Sequence, residues 1–409
     1  MSSVRIAVIG AGASGMLAAI VCARRGADVV LYERCDRVGK KILATGNGRC
    51  NYSNADIKIS NYHGQNPQFA DYALKNFGFL KTKEFFEELG MLTKVEENSK
   101  AYPYSLQASS VLDVLRFELE RLGVKVVCGF EAAKICKKNN EFTVISYNNE
   151  RVMADKVILA CGGKASPALG SNGSGYELLK SFGHKVTKTF PSLVQVKTDT
   201  KYVKALKGIK LDADVTFLAD GIKEKTSGEV LFCDYGLSGP AIFNISRLCS
   251  EFKDGKIVLD LLPEIDYNNL RELLIKRKAS YRNIENFFVG MINKKVGMTV
   301  SKYAGVLPYS RSSDSLSDKE INALVSAIKK FTLSVEGTMS WNNAQVTAGG
   351  IVTSDVCEKT MESKLCPGLY ITGELLDIDG DCGGYNLQWA WSSGYLAGVS
   401  ASCQKGADK

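Results

Sequence analysis

The chain has 409 residues, enough for two or three domains, and its 45% hydrophobic and 23% charged residues are typical of a soluble globular protein. Lysine and arginine outnumber aspartate and glutamate by 52 to 44, and the net charge of +8 suits an anionic ligand without requiring nucleic acid. The longest uncharged apolar stretch, at 16–23, is too short to span a bilayer, and glycines interrupt the N-terminal apolar run where a signal peptide would be continuous. We therefore expect a cytoplasmic protein with no membrane partner.

Cysteine and histidine usage argues against a bound metal. None of the 12 cysteines forms a C-x-x-C pair, and the chain has only two histidines, His63 and His184. Free thiols in a reducing compartment are the simpler interpretation.

A glycine motif stands at the start of the chain. An apolar run at 4–9 predicts a strand buried on both faces, and Gly10, Gly12 and Gly15 follow it as G-x-G-x-x-G. In dinucleotide-binding folds these glycines allow a tight turn, backbone approach to a pyrophosphate, and close packing of helix on strand. The helix predicted at 14–25 would direct its positive N-terminus at that pyrophosphate.

The second predicted strand, at 28–32, completes the βαβ unit. Glu33 ends this strand, 23 residues after Gly10. A carboxylate here suits the paired hydroxyls of an adenosine ribose and repels a 2′-phosphate. With strand, helix, strand and acid in register, the motif predicts a bound dinucleotide.

A basic, glycine-rich segment occupies residues 34–54. Its glycine amides and cations would form a cradle for an anion or a flat ring, and the alternative is a solvated basic loop. Helical spacing then recurs at 69–76, 82–89 and 109–122, and strands are predicted at 124–128, 142–147 and 156–160. The last strand runs into Cys161, Gly162 and Gly163, as expected where a parallel sheet meets its ligand.

The pattern changes near residue 191. Alternating runs between 191 and 262 predict antiparallel β structure, and 267–335 reads as mostly helical. Strand, glycine loop and helix return after residue 345. We therefore predict a discontinuous dinucleotide domain at 1–190 and 346–409, an inserted β domain at 191–265 and a helical subdomain at 266–345.

The C-terminal segment predicts the second half of the cofactor site. A short strand at 368–372 ends at Gly373 and Glu374, and a helix opens after Gly383 and Gly384. The acidic loop at 377–381 lacks the full spacing of a calcium-binding loop, which argues against a cation site. One of its carboxylates would instead bind a ribityl hydroxyl. Amides at 384–386 would face the pyrimidine edge of a flavin, which favours FAD over NAD.

Several long motifs carry a family resemblance. The strings VIGAGASGMLAA, GKKILATGNGRCNYSN, GEVLFCDYGLSGPAIF, QVTAGGI and GLYITGELLDIDGDCGGYNLQWAWSSGYLAG resemble the HI0933-like family of flavoproteins. The resemblance implies an α/β fold with a Rossmann-like (GR2-type) FAD-binding domain, an inserted antiparallel β-barrel-like domain and a helical subdomain. Cys233 and Asp234 stand where family members often carry Thr-His, so no role of that histidine transfers to this chain.

The residue patterns and the resemblance together name the candidate cofactor-binding residues. They are Gly10, Gly12, Ala13, Ser14, Gly15, Glu33, Arg34, Lys40, Lys41, Thr45, Gly46, Asn47, Gly48, Arg49, Cys50, Asn51, Ala160, Cys161, Gly162, Gly163, Gly373, Glu374, Asp377, Gly383, Gly384, Tyr385, Asn386, Leu387 and Gln388.

The resemblance implies an FAD-dependent oxidoreductase, foremost an NAD(P)H-driven reductase of C=C bonds in unsaturated carbonyl compounds such as 3-oxo steroid or bile-acid enones. The alternatives are an amine (aminoacetone-type) oxidase and a flavin-dependent RNA-modifying or RNA-binding protein. Candidate proton donors are Tyr385, Tyr235 and Asp234, although packing or cofactor contact is the commoner role for a tyrosine placed like Tyr385. The sequence contains no second complete G-x-G-x-x-G, so NADH or NADPH would dock transiently, and the oligomeric state is not predicted.

The RNA alternative depends on the basic stretch at 276–295. Tyr281, Phe287 and Phe288 alternate there with lysines, as in some single-strand binding surfaces. Aromatic residues at helical spacing more often form a core face, so nucleic acid is not the expected partner.

Overall fold

The computed structural model describes residues 3–252, 254–280 and 283–403. They form two compact units, one of residues 1–190 with 345–409 and one of residues 191–344. The division of the second unit into a β part and a helical part stays a prediction.

The described residues contain 21 strands and 11 α-helices. The strands are β1 (Arg5–Ile9), β2 (Asp28–Glu33), β3 (Ser53–Asn54), β4 (Tyr62–His63), β5 (Thr93–Val95), β6 (Lys100–Pro103), β7 (Lys125–Cys128), β8 (Ala132–Lys138), β9 (Glu141–Ser146), β10 (Arg151–Ala154), β11 (Lys156–Leu159), β12 (Phe190–Ser192), β13 (Val196–Thr198), β14 (Lys210–Ala219), β15 (Ile222–Cys233), β16 (Gly236–Ser238), β17 (Lys256–Asp260), β18 (Phe331–Thr338), β19 (Val346–Ala348), β20 (Leu369–Ile371) and β21 (Asp379–Gly380). The helices are α1 (Ala13–Arg24), α2 (Lys40–Ala44), α3 (Phe69–Asn76), α4 (Phe79–Glu88), α5 (Ala108–Arg121), α6 (Ser174–Lys180), α7 (Pro240–Glu251), α8 (Tyr267–Arg277), α9 (Lys294–Tyr303), α10 (Asp318–Lys329) and α11 (Tyr385–Ser402).

The first unit is built on a parallel sheet with strand order β20-β11-β1-β2-β7. Val8 in the middle of β1 pairs with Leu31 on one side and Ile158 on the other. Residues 6–9 are all at least 96% buried, because helices and loops cover both faces of a parallel sheet. This confirms the predicted α/β class and its Rossmann-like sheet.

Two buried helices, α1 and α11, pack against each other in parallel. A Cβ added to Gly394 would lie 2.5 Å from the Ser14 carbonyl oxygen, and one added to Gly398 would lie 2.9 Å from the Ala18 carbonyl oxygen. Contacts this close require glycine on α11. Since the apolar residues of both helices lie on all sides, both helices belong to the interior of the unit.

The second unit contains a closed antiparallel barrel with strand order β13-β16-β15-β14-β17-β18. The aromatic side chains of Phe217, Phe232 and Phe331 are fully buried in its core. The strand β18 lies in the range that the sequence predicted to be helical. Its conformation is decided by ladder hydrogen bonds with β17 and β13. The local sequence pattern does not reveal these two partner strands.

The basic stretch at 276–295 is not one helix. In the part of it that the structure describes, α8 ends at Arg277 and α9 begins at Lys294. Phe287 and Phe288 are 0% and 2% exposed and belong to the core, so they offer no face for stacking on bases. Tyr281 lies outside the described residues. Among the described helices, none is long and apolar enough to cross a membrane.

Candidate functional site

Four predicted segments meet at the carboxyl edge of the parallel sheet. Gly10 directly follows β1 and Glu33 ends β2. Cys161 and Gly373 each lie two positions after the last residue of their strands, β11 and β20. Because parallel strands all end at the same edge, residues far apart in the sequence lie side by side there.

The glycines of the first motif differ in their surroundings. A Cβ on Gly10, whose φ is +105°, would clash with the Ala160 carbonyl, and one on Gly15 would clash with the Gly10 carbonyl. Gly12 instead has no atom within 4 Å of its Cβ position. It is the N-cap of α1 and no side chain caps that helix, so open space lies beside unpaired N–H groups. These groups suit a pyrophosphate.

Glu33 is held at the end of β2 by backbone donors. Its Oε2 accepts the Ala11 N–H at 2.9 Å and its Oε1 accepts the Cys35 N–H at 2.9 Å. The side chain is fixed in place, and each carboxylate oxygen keeps a lone pair for a ribose hydroxyl.

The end of β11 is tightly packed. The Cys161 thiol faces the Ile9 carbonyl oxygen at 3.5 Å, and burial raises its pKa to about 12, so this cysteine is inert. Gly163 is required because a Cβ there would clash with Thr347 and would lie 2.8 Å from Oε1 of Glu374. The strand end therefore contributes backbone rather than reactive side chains.

The basic residues after Glu33 are largely neutralised. Lys40 pairs with Asp36 at 2.5 Å, Lys41 pairs with Glu374 at 2.8 Å, and Arg34 pairs with Glu131 at 3.4 Å. Thus the segment is not an open cationic cradle. The Lys41 contact instead ties the segment to the residues that follow β20.

The T-G-N-G-R-C-N string forms a left-handed turn. Gly46, Asn47 and Gly48 have φ of +56°, +54° and +81°, a conformation that glycine and asparagine tolerate. The Thr45 hydroxyl donates to the Ile42 carbonyl at 2.6 Å. The thiol of Cys50 is buried under the turn, which raises its pKa to about 12.

Arg49 lies away from the sheet edge. Its guanidinium is 4.6 Å from the centroid of the Tyr102 ring and 3.4 Å from Glu96, and its side chain is 44% exposed. The Asn51 amide donates to the Ser53 and Ala101 carbonyls. Both side chains thus brace the turn against its neighbours, whereas the sequence analysis placed them on the cofactor.

The start of α11 is a second uncapped helix N-terminus. Gly384, its N-cap, has φ +94°, and a Cβ there would clash with the Ser53 carbonyl. No side chain caps the helix, so its first N–H groups, on Tyr385, Asn386 and Leu387, lack intrahelical partners. The Asn386 side chain braces the preceding loop through the N–H and C=O of Gly380.

The side chain of Gln388, which is predicted to bind the cofactor, is bonded to protein groups in the interior. It is fully buried, its amide nitrogen has the Phe77 carbonyl and the Thr82 and Ser392 hydroxyls within 2.9 Å as acceptors for its two N–H groups, and its oxygen accepts from Ser53 at 2.6 Å. With every polar group of its side chain used, Gln388 anchors α11.

The acidic residues near α11 are also engaged. Glu374 accepts the Thr347 N–H at 2.8 Å as well as the Lys41 ammonium, and Asp377 accepts the Gln65 N–H at 3.1 Å. The described residues hold no cluster of acidic, histidine and cysteine side chains suited to a metal. Both carboxylates are oriented and close to the sheet edge.

The two uncapped helix starts fit a dinucleotide. Ser14 lies beside Gly394, α11 begins nine residues before Gly394 and α1 begins one residue before Ser14, so the start of α11 lies about 12 Å beyond the start of α1. One positive helix end would bind the pyrophosphate and the other the flavin pyrimidine. The residues present at the two helix starts therefore fit FAD.

Comparison with known proteins decides the family. The model for the HI0933-like protein Rossmann domain matches residues 4–400. The chain belongs to the HI0933-like family. It is an FAD-dependent oxidoreductase.

Named relatives are similar over their full length. A 3-dehydro-bile acid delta(4,6)-reductase from Clostridium scindens is 42% identical, covering 97% of this chain and 99% of the relative. A ribosomal RNA dihydrouridine synthase from Haemophilus influenzae is 30% identical, covering 97% and 98%. A solved 3-ketosteroid-delta4-(5alpha)-dehydrogenase from Rhodococcus jostii, 15% identical over 98% of this chain and 97% of its own, shares the fold with a TM-score of 0.51.

The three candidate proton donors lie in different places. Tyr385 is in the first unit, and its hydroxyl is 3.4 Å from the Asp56 carbonyl; burial, then Asp381 and Asp56, raise its pKa. Asp234 and Tyr235 belong to the second unit. Lys207, at 2.5 Å, lowers the Asp234 pKa, so Asp234 is ionised and a poor acid at neutral pH. Burial raises the Tyr235 pKa.

A histidine–aspartate pair that no sequence motif predicts lies beside the loop before α11. Nε2 of His63 lies 2.8 Å from Oδ1 of Asp381, although the residues are 318 positions apart. Only the acidic loop at 377–381 hinted at this site, and nothing in the sequence linked it to His63.

Proposed function

We propose that this protein reduces a C=C bond conjugated to a carbonyl group, in a steroid-like or bile-acid-like compound, with NADH or NADPH as electron donor. The observation that supports it is the end-to-end similarity, at 42% identity, to a reductase named for such a substrate. The uncapped helix starts at Gly12 and Gly384 also support it, because their N–H groups suit the pyrophosphate and the pyrimidine edge of FAD.

The relatives' names share one reaction class. A 3-oxo-4-ene steroid and the uracil ring of uridine both carry a C=C bond conjugated to a carbonyl. Reduction of either compound adds one hydride and one proton across that bond. The reaction class is therefore supported by both names, and they differ in the size and charge of the substrate.

In this reaction the residues of the chain would bind the cofactor, orient the substrate and supply the substrate's proton. When bound, FAD supplies reversible hydride transfer at N5 of its ring system. The N–H groups at the start of α1 would hold the pyrophosphate and Glu33 would hold the ribose, which would fix one end of the cofactor. The N–H groups after Gly384 would stabilise negative charge on the pyrimidine edge. A side-chain acid then delivers the proton to the substrate α-carbon.

A second candidate is reduction of uridine in ribosomal RNA. It is supported by the 30% identity that covers nearly all of both chains. The burial of Phe287 and Phe288 removes the aromatic surface that the sequence analysis had offered for RNA, so any RNA contact would use other residues.

Anaerobic stopped-flow absorbance tests the proposal. The purified flavoprotein is mixed with NADH or NADPH, and the reduced protein is then mixed with a 3-oxo-4-ene steroid, a bile-acid enone or a uridine-containing ribosomal RNA fragment. Bleaching followed by enone-dependent reoxidation is the expected result. Reoxidation by the RNA alone would transfer the assignment to the second candidate, and bleaching by small amines with reoxidation by oxygen would indicate the oxidase.

A further inference from the structure

His63 lies on a short hairpin beside the loop that leads into α11. The strand β4 pairs antiparallel with β21, so that His63 faces Asp379 and Tyr62 faces Gly380. Nε2 of His63 is 2.8 Å from Oδ1 of Asp381, and the two side chains are 36% and 21% exposed. The imidazole is therefore both anchored and accessible.

Asp381 is itself held in position. Its backbone N–H donates to the Asn61 carbonyl at 2.9 Å, and the Asn61 amide donates to its Oδ2 at 3.2 Å. One carboxylate oxygen is thus tied to Asn61 while the other receives the His63 N–H. A carboxylate that orients an imidazole in this way is the usual support for proton transfer by histidine.

The pair adjoins the start of α11, the helix end proposed to face the flavin pyrimidine. Asp381 precedes the N-cap Gly384 by three residues, and the hydroxyl of Tyr62 donates to the Tyr385 carbonyl at 3.1 Å. Asp381 is close enough to contribute to the raised pKa of Tyr385. All these residues belong to the first unit, which also holds the cofactor-binding edge.

The other candidate acids are less suited to the step. Tyr385 has a raised pKa, and Asp234 is held in its ionised form by Lys207. An imidazole ordinarily changes its charge near neutral pH, and it can take a new proton from water after each turnover.

We propose that His63, oriented by Asp381, gives the proton to the substrate α-carbon. This rests on the proposed function and holds for an enone or a uridine alike. The substrate β-carbon takes a hydride, with its two electrons, from the reduced flavin, which is thereby oxidised. The α-carbon takes H⁺ from the His63 imidazolium, and the C=C bond becomes CH–CH. Neutral imidazole then regains a proton from water.

Separate measurement of the two half-reactions tests this role. In His63→Gln, flavin bleaching by NAD(P)H should stay within about twofold of wild type, and reoxidation by the substrate should slow by about 10²–10⁴-fold. Imidazole added to His63→Ala should restore part of that rate, which a merely structural histidine would not allow. Reoxidation of His63→Gln at the wild-type rate would overturn the inference.

Asp381→Asn and Asp56→Asn form a matched pair. Both remove one carboxylate near Tyr385, but Asp56 pairs with Lys58 and not with the histidine. Slower reoxidation in Asp381→Asn and unchanged rates in Asp56→Asn would support the positioning role of Asp381. Equal rates in all three proteins would contradict it.

Histidine NMR gives a readout that does not need turnover. The chain has two histidines, so selectively labelled protein shows two imidazole spin systems. Binding of the enone to the oxidised protein should shift the His63 signals and leave those of the buried His184 in place. Flavin spectral changes without a shift at His63 would refute the inference. A wild-type protein that no enone or uridine reoxidises would instead refute the proposed function.

Discussion

Gly394 lies directly against Ser14, with its hypothetical Cβ only 2.5 Å from the Ser14 carbonyl oxygen. The contact joins two segments from opposite ends of the chain. It sets how far α11 extends beyond α1 and so the spacing between the two uncapped helix starts. A packing contact thus determines the length of the cofactor cradle.

Gly394→Ala should destabilise the protein despite the better helix propensity of alanine. Alanine gains up to about 1 kcal/mol in a helix, but the clash with the Ser14 carbonyl forces α1 and α11 apart. We expect a net loss of about 1–3 kcal/mol in the free energy of unfolding, measured by urea denaturation, together with weaker FAD retention. Ser400→Ala on the same helix is the control and should leave the free energy of unfolding and the FAD retention unchanged. Equal stability of the two variants would show that the contact is relaxed in solution.

Gly12→Asp should abolish FAD retention while the protein still folds. The Cβ position is open and φ is −83°, so the side chain is tolerated, but its carboxylate would occupy the place of the pyrophosphate. The measurement is the ratio of flavin to protein absorbance after purification. Ser109→Asp adds the same charge at the start of α5 and should remain fully yellow. A yellow Gly12→Asp would contradict the position assigned to the cofactor.

His184 should make the protein lose stability in mild acid. It is 3% exposed, its Nε2 bonds to the Ser363 hydroxyl at 2.8 Å, and its Nδ1 has no hydrogen-bond partner among the described residues. Burial lowers its pKa below 6.5. The unfolded chain therefore binds more protons at this site below pH 6.5, and stability falls as pH drops through the folded-state pKa.

Denaturant unfolding between about pH 8 and pH 5 checks this dependence. His184→Gln cannot titrate, so its free energy of unfolding should fall less over that interval than that of wild type. Parallel curves for the two proteins would exclude His184 as the cause.

Glu320 should stabilise the second unit through a pair of charge-assisted hydrogen bonds. Arg311 donates to both carboxylate oxygens at 2.6 and 2.8 Å, and the Ser317 N–H adds a capping bond, which together lower the Glu320 pKa to about 2. Glu320→Gln should cost about 1–3 kcal/mol at neutral pH. Because the folded pKa is depressed, this stabilisation is complete above pH 4.5 and is lost as pH falls towards 2.

Asp318→Asn is the control for Glu320→Gln. Asp318 lies in the same first turn of α10, is 76% exposed and pairs with Arg271 only at 3.9 Å. Its loss should change the free energy of unfolding by less than about 0.5 kcal/mol. Similar effects of the two substitutions would mean that only the helix dipole is involved.

Local motifs predicted several of the segments that meet at the carboxyl edge of the parallel sheet. The run from β1 through Gly15 is contiguous, and its period and glycine spacing are read directly from the chain. The same is true of Gly384 and α11. The motifs do not reveal side-chain direction: Gln388 and Arg49 belong to motifs predicted to bind the cofactor, yet both side chains contact other parts of the protein.

The sequence by itself therefore determined the family, the α/β class and the dinucleotide motif, because each depends on short-range periodicity and on glycines within a few residues. Only the tertiary structure decided that β18 closes the barrel, that Gly394 packs on Ser14 and that His63 meets Asp381. These contacts join residues more than seventy positions apart. Their partners are selected by packing and hydrogen bonding in the folded chain, which no local pattern encodes.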